Sequence, residues 1–543
     1  MNPYLLRYVS KNGEKTLSEK EPVSSECEIR VEEDGSLRRV LLTAREKISL
    51  LSYEETPEFL SGECGKDDLF FLNGYQSWTD SFERTLSEKE KSLNRVPKAL
   101  VKAFSFDRYG DYGFYPYRDG YLHGFDLFYE KGKRGAFLFS QNAAYAYLLI
   151  EVERRSGKVK LFSDVAGAKL KAGETFVLAE YRYYSSFEEG LKGFQEVYPE
   201  KETQKIFGYT SWYNYYQDIN ERILLRDLDA LDERFNLFQI DDGFESKVGD
   251  WLKPDAEKFP NGLSPIVQKI HDRGFKAGLW LAPFVAEEES ELFRERKAWF
   301  KKDEKGNFVS CGSNWSGFYA LDLENSEVLN YIAQCLEHYS EMGFDFFKLD
   351  FLYAASLPSY EGLTRAMAAE RAYAFLREKL PGKMILGCGA TITNAVGKFE
   401  YMRVGPDVSL SFDDALYMRF FHRERPSTKV TVQNTVYRSI LNGRFFGNDP
   451  DVFLLRDDNL KLKSKTKDAL LTLNALFGSV LMTSDNVKEY DADKRKRLDK
   501  AFRLFYNAKD ARYERMGNKI KVRYRMDDTE HEFTYDTKKG EML

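Results

Sequence analysis

The sequence predicts a multidomain α and β chain: an N-terminal β-sandwich over residues 1–200, a central (β/α)8 barrel over 201–488 and a small C-terminal β domain over 489–543. Three observations lead there. At 543 residues the chain is too long for one ordinary domain. Up to about residue 200 it reads as strands, and from about residue 206 short apolar runs alternate with amphipathic stretches. After about residue 488 a two-residue alternation returns.

In the first part, runs such as SLRRVLLTA, RGAFLFS and YAYLLIEVE are separated by Gly and Asp turn signals, as in a sandwich. FEEGLKGFQEVY at 187–198 carries helical spacing and reads as a connecting helix. The central part runs FGYTSW, ERILLRDLDALDERF, LFQIDD, SPIVQKIHDRG, FKAGLWLAPF, VLNYIAQCLEHYSEMG, FDFFKLDFL, RAYAFLREKL, MILGCGA and YMRVGPD. Such alternation implies a parallel sheet with right-handed crossovers. Six strands are clear, with two weaker candidates at KVTVQNT and near RFFGNDPD; eight would close a TIM-type barrel. KIKVRYRM and EHEFTYDT mark the C-terminal strands.

Composition narrows the function classes. The net charge of −6 gives no general attraction to nucleic acid or anionic lipid. The Lys-rich runs near 461–467 and 493–499 are interleaved with Asp and Leu and read as solvated helix faces. Five cysteines (Cys27, Cys64, Cys311, Cys335 and Cys388) lack CxxC spacing, which argues against a disulfide framework or structural zinc. MNPYLLRYVSKNGEK has no basic segment followed by an apolar run, so no signal peptide is expected. No stretch is long enough to span a membrane. The expected setting is cytoplasmic. A homo-oligomer is left open.

Carboxylates recur at strand ends: Asp241 and Asp242 after LFQI, Asp350 after FKL, Asp407 after RVGP, and Asp449 and Asp451 in GNDPD. In a β/α barrel those ends ring one mouth, so the carboxylates converge on one cavity. Each alone reads equally well as a helix cap. Together they repel, which is costly unless they bind cations, bind hydroxyls or hold protons. Lys348 lies two residues before Asp350 on the same strand face and is expected to keep that carboxylate ionised. Asp350 and Asp407 then supply the two carboxyls, with opposed protonation states, that glycoside hydrolysis needs. Mg²⁺ or Mn²⁺ binding is the alternative use of such a cluster. No His stands where a ligand is needed: His271 falls in a helix and His422 outside the strand ends, as structural or exposed residues. No metal or cofactor is therefore expected.

Trp212, Tyr213, Trp251 and Trp280 also fall at strand ends, as core filling or as a sugar platform. Arg403 is placed to orient hydroxyls or tune a carboxylate. GCGA at 387–390 lacks the spacing of a phosphate loop, and Cys388 has no His or Asn nearby to make it a nucleophile.

FGYTSWYNYY, FQIDDGFESKVGDW, GLWLAPF, FKLDFLYA, ILGCGA and MRVGPD, in that order over about 206–460, resemble the strand-end motifs of glycoside hydrolase family 36, most of all its compact bacterial α-galactosidases. NGYQSW at 73–78 resembles the family's N-terminal contribution to the site, here Trp78. The resemblance implies a metal-free retaining double displacement on terminal α-galactosides of the melibiose or raffinose type. It makes Asp350 the nucleophile and Asp407 the acid/base. Asp241 and Asp242 hold the outer hydroxyls, Lys348, Arg403, Trp212 and Trp280 line the sugar, and Cys388 lies near its 2-position. Two departures stand out: Ala390 and Thr391 after GCG, and SLSFDDALYMRFFHRERP after MRVGPD, where an aromatic-rich segment such as a Trp is usual. They bear on the 2-position and the leaving group. An α-N-acetylgalactosaminidase, a non-hydrolytic sugar-binding barrel and a metal-dependent isomerase or aldolase are the competing readings.

Overall fold

A computed structural model describes residues 2–60, 62–115, 117–357, 362–413 and 422–543. The chain is a multidomain α/β protein built on a curled parallel sheet and several antiparallel ones.

Residues 2–184 form two seven-stranded antiparallel sheets. Their strands alternate as a two-layer core requires: Leu37–Ala44 turns Val40, Leu42 and Ala44 inward, and Tyr4–Ser10 turns Tyr4, Leu6 and Tyr8 inward. The neighbouring strands Leu127–Lys131 and Ala136–Ser140 are buried on both faces. Their second face, with Tyr129, Phe137 and Phe139, packs on helix Phe187–Val197 and joins the core of the parallel sheet. Gly190 permits that approach, since a Cβ there would fall 2.0 Å from the Phe137 Cβ.

The parallel strands are Ile206–Thr210, Leu237–Ile240, Lys276–Leu281, Phe346–Leu349, Met384–Gly387, Tyr401–Arg403, Gly447–Asp449, Val452–Phe453 and Val480–Thr483. Most are continuous apolar runs buried on both faces, as parallel strands covered by helices must be. Val480–Thr483 pairs with both Ile206–Thr210 and Val452–Phe453, while Gly447–Asp449 pairs with Tyr401–Arg403. Only Pro450 and Asp451 separate the two short strands. Pro450 has no N–H to offer a ladder, and Asp451 adopts φ 72°.

Several sequence readings differ from this structure. KVTVQNT is not a strand but part of helix Thr428–Tyr437. Its β-branched residues are buried on every side, and Ser427 caps the helix by accepting from the Val430 N–H. SVLMT, unassigned from sequence, supplies the strand Val480–Thr483. Residue 489 does not open a β region: helix Ala492–Asn507 comes first, capped by Asp491, and the four-stranded antiparallel sheet starts at Lys509. Lys467 is buried, donating to the carbonyls of Leu455 and Arg456, so the 461–467 run is not wholly a solvated face. Among the described residues no helix is long and apolar enough to cross a membrane.

Arg438 ties the antiparallel sheets to the parallel one. Fully buried, it donates to Asn73 Oδ1 (2.9 Å) and to the carbonyls of Gly74 (3.3 Å), Gln76 (3.1 Å), Ser77 (2.6 Å) and Val404 (2.9 Å). Asn434 adds bonds to Ser81 N (2.8 Å) and Thr79 O (3.0 Å), so the 73–81 loop is fixed from both ends. Burial holds the Arg438 guanidinium down at about 9. Arg438→Met would leave several buried carbonyls unpaired and is expected to lower stability by roughly 3 kcal/mol or more. An unchanged urea midpoint would show that other contacts hold this loop.

Candidate active site

A cavity of about 260 Å³ lies at the C-terminal ends of the parallel strands. Asp241, Asp242, Lys348, Asp350, Asp407, Trp78, Trp212 and Trp280 line it, brought together from separate strands and from the 73–81 loop.

Asp241 is held by three side chains. Lys348 Nζ donates to its Oδ2 at 2.9 Å, Gln239 Nε2 at 2.6 Å and Thr210 Oγ1 at 3.1 Å. Burial works against the Lys348 charge, yet the Asp241 carboxylate beside it holds the ammonium well above the ordinary lysine value. Asp242 accepts from Gln217 Nε2 (3.1 Å) and Trp315 Nε1 (2.9 Å). Burial raises Asp242. Behind it, Glu245 is pushed well above the usual range by burial and by the Asp242 charge, so Glu245 keeps the proton and donates it. The turn between them needs Gly243, at φ 110° and with its Cβ position 2.6 Å from the Gln217 backbone.

Asp350 accepts from Trp280 Nε1 (3.0 Å) and from the Phe351 N–H (2.8 Å). Phe351 reaches it through a left-handed φ of 53°, backbone strain of the kind stored at functional sites. The sequence reading paired Lys348 with Asp350. Instead the ammonium bonds Asp241 and acts on Asp350 through space. Burial raises Asp350, and Lys348, the indole N–H and a hydrogen bond from Cys388 pull it back. Cys388 is itself pushed well above its ordinary value by burial, hence a neutral thiol, and it accepts from Trp78 Nε1 at 3.4 Å.

Arg403 spreads one cation over three carboxylates: Nη1 to Asp407 Oδ1 (2.9 Å), Nε to Asp449 Oδ2 (3.1 Å) and Nη2 to Asp451 Oδ1 (2.8 Å). Asp451 also accepts from Tyr213 OH and from Val408 N (2.7 Å). Tyr213 therefore stands behind Arg403 rather than in the cavity, and Arg403 and Cys388 also lie beneath its surface. Asp407 is the open member, with a side chain 36% exposed.

Trp251 lies behind Trp280, edge-on at 5.7 Å, and does not line the cavity. His422 does line it. Buried, with Nε2 3.2 Å from Phe106 O, it is held neutral by burial at about 3, while His271 bonds Asp345 at 2.9 Å. Trp315, Phe104, Phe106, Tyr109, Glu424 and Arg425 were not singled out from sequence. The only cue for Trp315 is a Trp within the polar turn SNWSG. Of the departing segment after MRVGPD, residues 414–421 lie outside the described residues. Among the described residues, no group of three or more His, Cys, Asp or Glu is placed to hold a metal ion.

Asp451 gives a pH test. Burial raises it, against the pull of Arg403 and Tyr213 and with the push of Asp407 and Asp449, to about 7. Its folded value exceeds the unfolded one, so its stabilisation is complete below about 3.9 and is lost as pH rises through 7. Relative to Asp451→Asn, the parent should lose on the order of a few kcal/mol between pH 4 and pH 8. Parallel urea midpoints across that range would refute the assignment.

The Melibiase family model matches residues 199–378. Alpha-galactosidase 1 of Pediococcus pentosaceus is 27% identical over 217 residues, 35% of this chain, and the match spans only 29% of that relative's length. TtGalA, an alpha-galactosidase from Thermus thermophilus solved with p-nitrophenyl alpha-D-galactopyranoside, is 27% identical; the superposition covers 93% of this chain and 96% of that one at a TM-score of 0.71. The GH36 alpha-galactosidase AgaA of Geobacillus stearothermophilus, 12% identical, shares the fold at a TM-score of 0.61 over 97% of this chain and 80% of that one. The likeness in fold thus runs through the antiparallel sheets as well as the parallel one, and the stretch that matches the Melibiase model carries the strand ends of Asp241, Asp242 and Asp350.

Proposed function

We propose that this protein is a retaining α-galactosidase that removes terminal α-linked galactose from melibiose- or raffinose-type oligosaccharides. The observation that carries the reading is Asp350. It is a buried carboxylate held by two N–H donors at the wall of a cavity that it shares with the exposed Asp407 and the Lys348-bound Asp241. We read the curled sheet as a (β/α)8 barrel whose seventh strand is broken at Pro450. That break sets Asp449 and Asp451 against Arg403.

In the first step an Asp350 oxygen bonds the anomeric carbon while the bond to the leaving oxygen breaks, and Asp407 gives that oxygen its proton. In the second, water attacks the same carbon, Asp407 takes a proton back and the bond to Asp350 breaks. Galactose leaves with its configuration retained. Trp280, Phe351 and Cys388 hold the Asp350 carboxylate in place, and the Arg403 fork orients Asp407.

Asp241 and Asp242 suit an axial 4-hydroxyl. The equatorial epimer would leave buried carboxylates unpaired, which rejects glucose strongly. On the family resemblance Cys388 marks the 2-position, and there Trp78 packs so closely that a Cβ on Gly389 would lie 2.9 Å from its ring. That favours a hydroxyl over an N-acetyl group.

Asp350→Ala is expected to abolish galactose release from an aryl α-galactoside, with azide restoring part of it as the β-galactosyl azide. Asp407→Ala should cost about 10²–10⁴-fold on an oligosaccharide and much less on a substrate with an acidic leaving group. NMR of the first-formed sugar should give the α-anomer. Retained turnover in Asp350→Ala, or a β first product, would sink the mechanism. Faster cleavage of the aryl α-N-acetylgalactosaminide would move the assignment to that sugar.

A further inference from the structure

The acid/base must touch the leaving oxygen, so the leaving group lies against whatever wall adjoins Asp407. Residues 422–427 form that wall. The Ser427 N–H donates to the Asp407 carbonyl at 2.8 Å, and His422 and Pro426 face the cavity. The wall continues into the antiparallel-sheet unit, because the His422 ring packs on Phe106 at 5.2 Å and on Tyr109 at 6.0 Å. Beyond Phe106 stands Phe104, its ring parallel to Phe106 at 5.3 Å and 15°. Phe104 borders the cavity and is 51% exposed, with Leu100 beside the same turn 47% exposed. Of these two, Phe104 reaches the cavity itself.

This surface is built rather than loose. Ser313 Oγ donates to the Phe104 carbonyl (2.9 Å), Tyr109 OH donates to Asn314 Oδ1 (2.6 Å), and Gln76 Nε2 donates to the Tyr109 carbonyl (2.6 Å). Of the two charged residues in this wall that line the cavity, Arg425 is paired within the protein and Glu424 is held by a neutral hydroxyl. Arg425 pairs with Asp413 at 2.7 Å, and Glu424 accepts from Thr79 Oγ1 at 2.8 Å. What it offers a ligand around Phe104 and Phe106 is aromatic.

We propose that Phe104, backed by Phe106, is the leaving-group subsite, and that it takes the apolar C–H face of a neutral pyranose. The substrates this site selects thus carry a sugar ring, not a small or charged aglycone. The inference rests on the α-galactosidase reading, because it needs a leaving group at Asp407.

The test compares kcat/KM on a raffinose-type trisaccharide with kcat/KM on α-galactosyl fluoride, whose leaving group has no ring. It uses the parent, Phe104→Ala and Phe104→Tyr, with thermal midpoints checking that each variant is folded. The trisaccharide-to-fluoride ratio should fall about three- to tenfold in Phe104→Ala, the worth of one aromatic stack, and return to the parent value in Phe104→Tyr. An unchanged ratio in Phe104→Ala, or an equal fall in Phe104→Tyr, overturns the subsite and leaves the hydrolytic reading standing. No galactose release from the fluoride by the parent overturns both.

Discussion

Like charges crowded in one place are the constraint around which this molecule is arranged. Asp241, Asp242, Asp350, Asp407, Asp449 and Asp451 converge on one end of the parallel sheet, with Lys348 and Arg403 as the cations bonded to them. Two carboxylates 4 Å apart repel by about 4 kcal/mol at an effective dielectric of about 20, so the cluster stands only if every charge is matched or carries a proton. Each cation is spent accordingly. Lys348 neutralises Asp241, Arg403 is divided among three aspartates, and the excess is relieved by protons, with Glu245 protonated behind Asp242 and Asp451 titrating near 7. Two buried carboxylates of the site, Asp242 and Asp350, have no cation bonded to them, and neutral N–H groups hold them instead. At Asp350 burial pushes the carboxyl up, and the nearby Lys348 charge and the Trp280 N–H pull it back without a salt bridge being formed.

The fold makes that arrangement affordable by fixing backbone where side chains must meet. Continuous apolar strands lock the sheet, so the residues just past their ends are positioned to within a rotamer. Where the site needs two acids close together, the strand itself gives way: Pro450 ends one ladder, and Asp451 turns through φ 72° so that its carboxylate faces Arg403. Phe351 makes a similar turn beside Asp350. Strain of this kind persists only where surrounding structure over-determines it, and both positions are buried among well-packed neighbours.

Much of this was legible in the sequence, because an apolar run that ends in Asp is a pattern local to a few residues. FKLD, QIDD and RVGPD announced their carboxylates, whereas Trp78 came only from the family resemblance of NGYQSW. What was not legible depends on distance in space. The partner of Lys348 could not be read from its position two residues before Asp350, since the side chain crosses to the neighbouring strand end. KVTVQNT has strand composition, but burial on all sides and the Ser427 cap make it a helix. Trp315 and the 422–426 segment lie in irregular backbone, and 104–109 holds only the short 3-10 turn Phe106–Arg108, so neither periodicity nor strand ends give a signal. The sequence departs from the motifs it resembles in the 422–426 stretch, which is where pattern reasoning has least to hold.

The irregular segments and the strand ends divide the work. Strand ends from the parallel sheet supply the charged groups of the cavity. The antiparallel unit supplies Trp78, Phe104, Phe106 and Tyr109, and aromatic surface tolerates many rings while excluding water. The two contributions are coupled, because hydrogen bonds to Asp350 and Asp241 strengthen as water is kept out. The docking of the 73–81 loop by Arg438 therefore does more than join two units: it fixes Trp78 at the wall of the cavity.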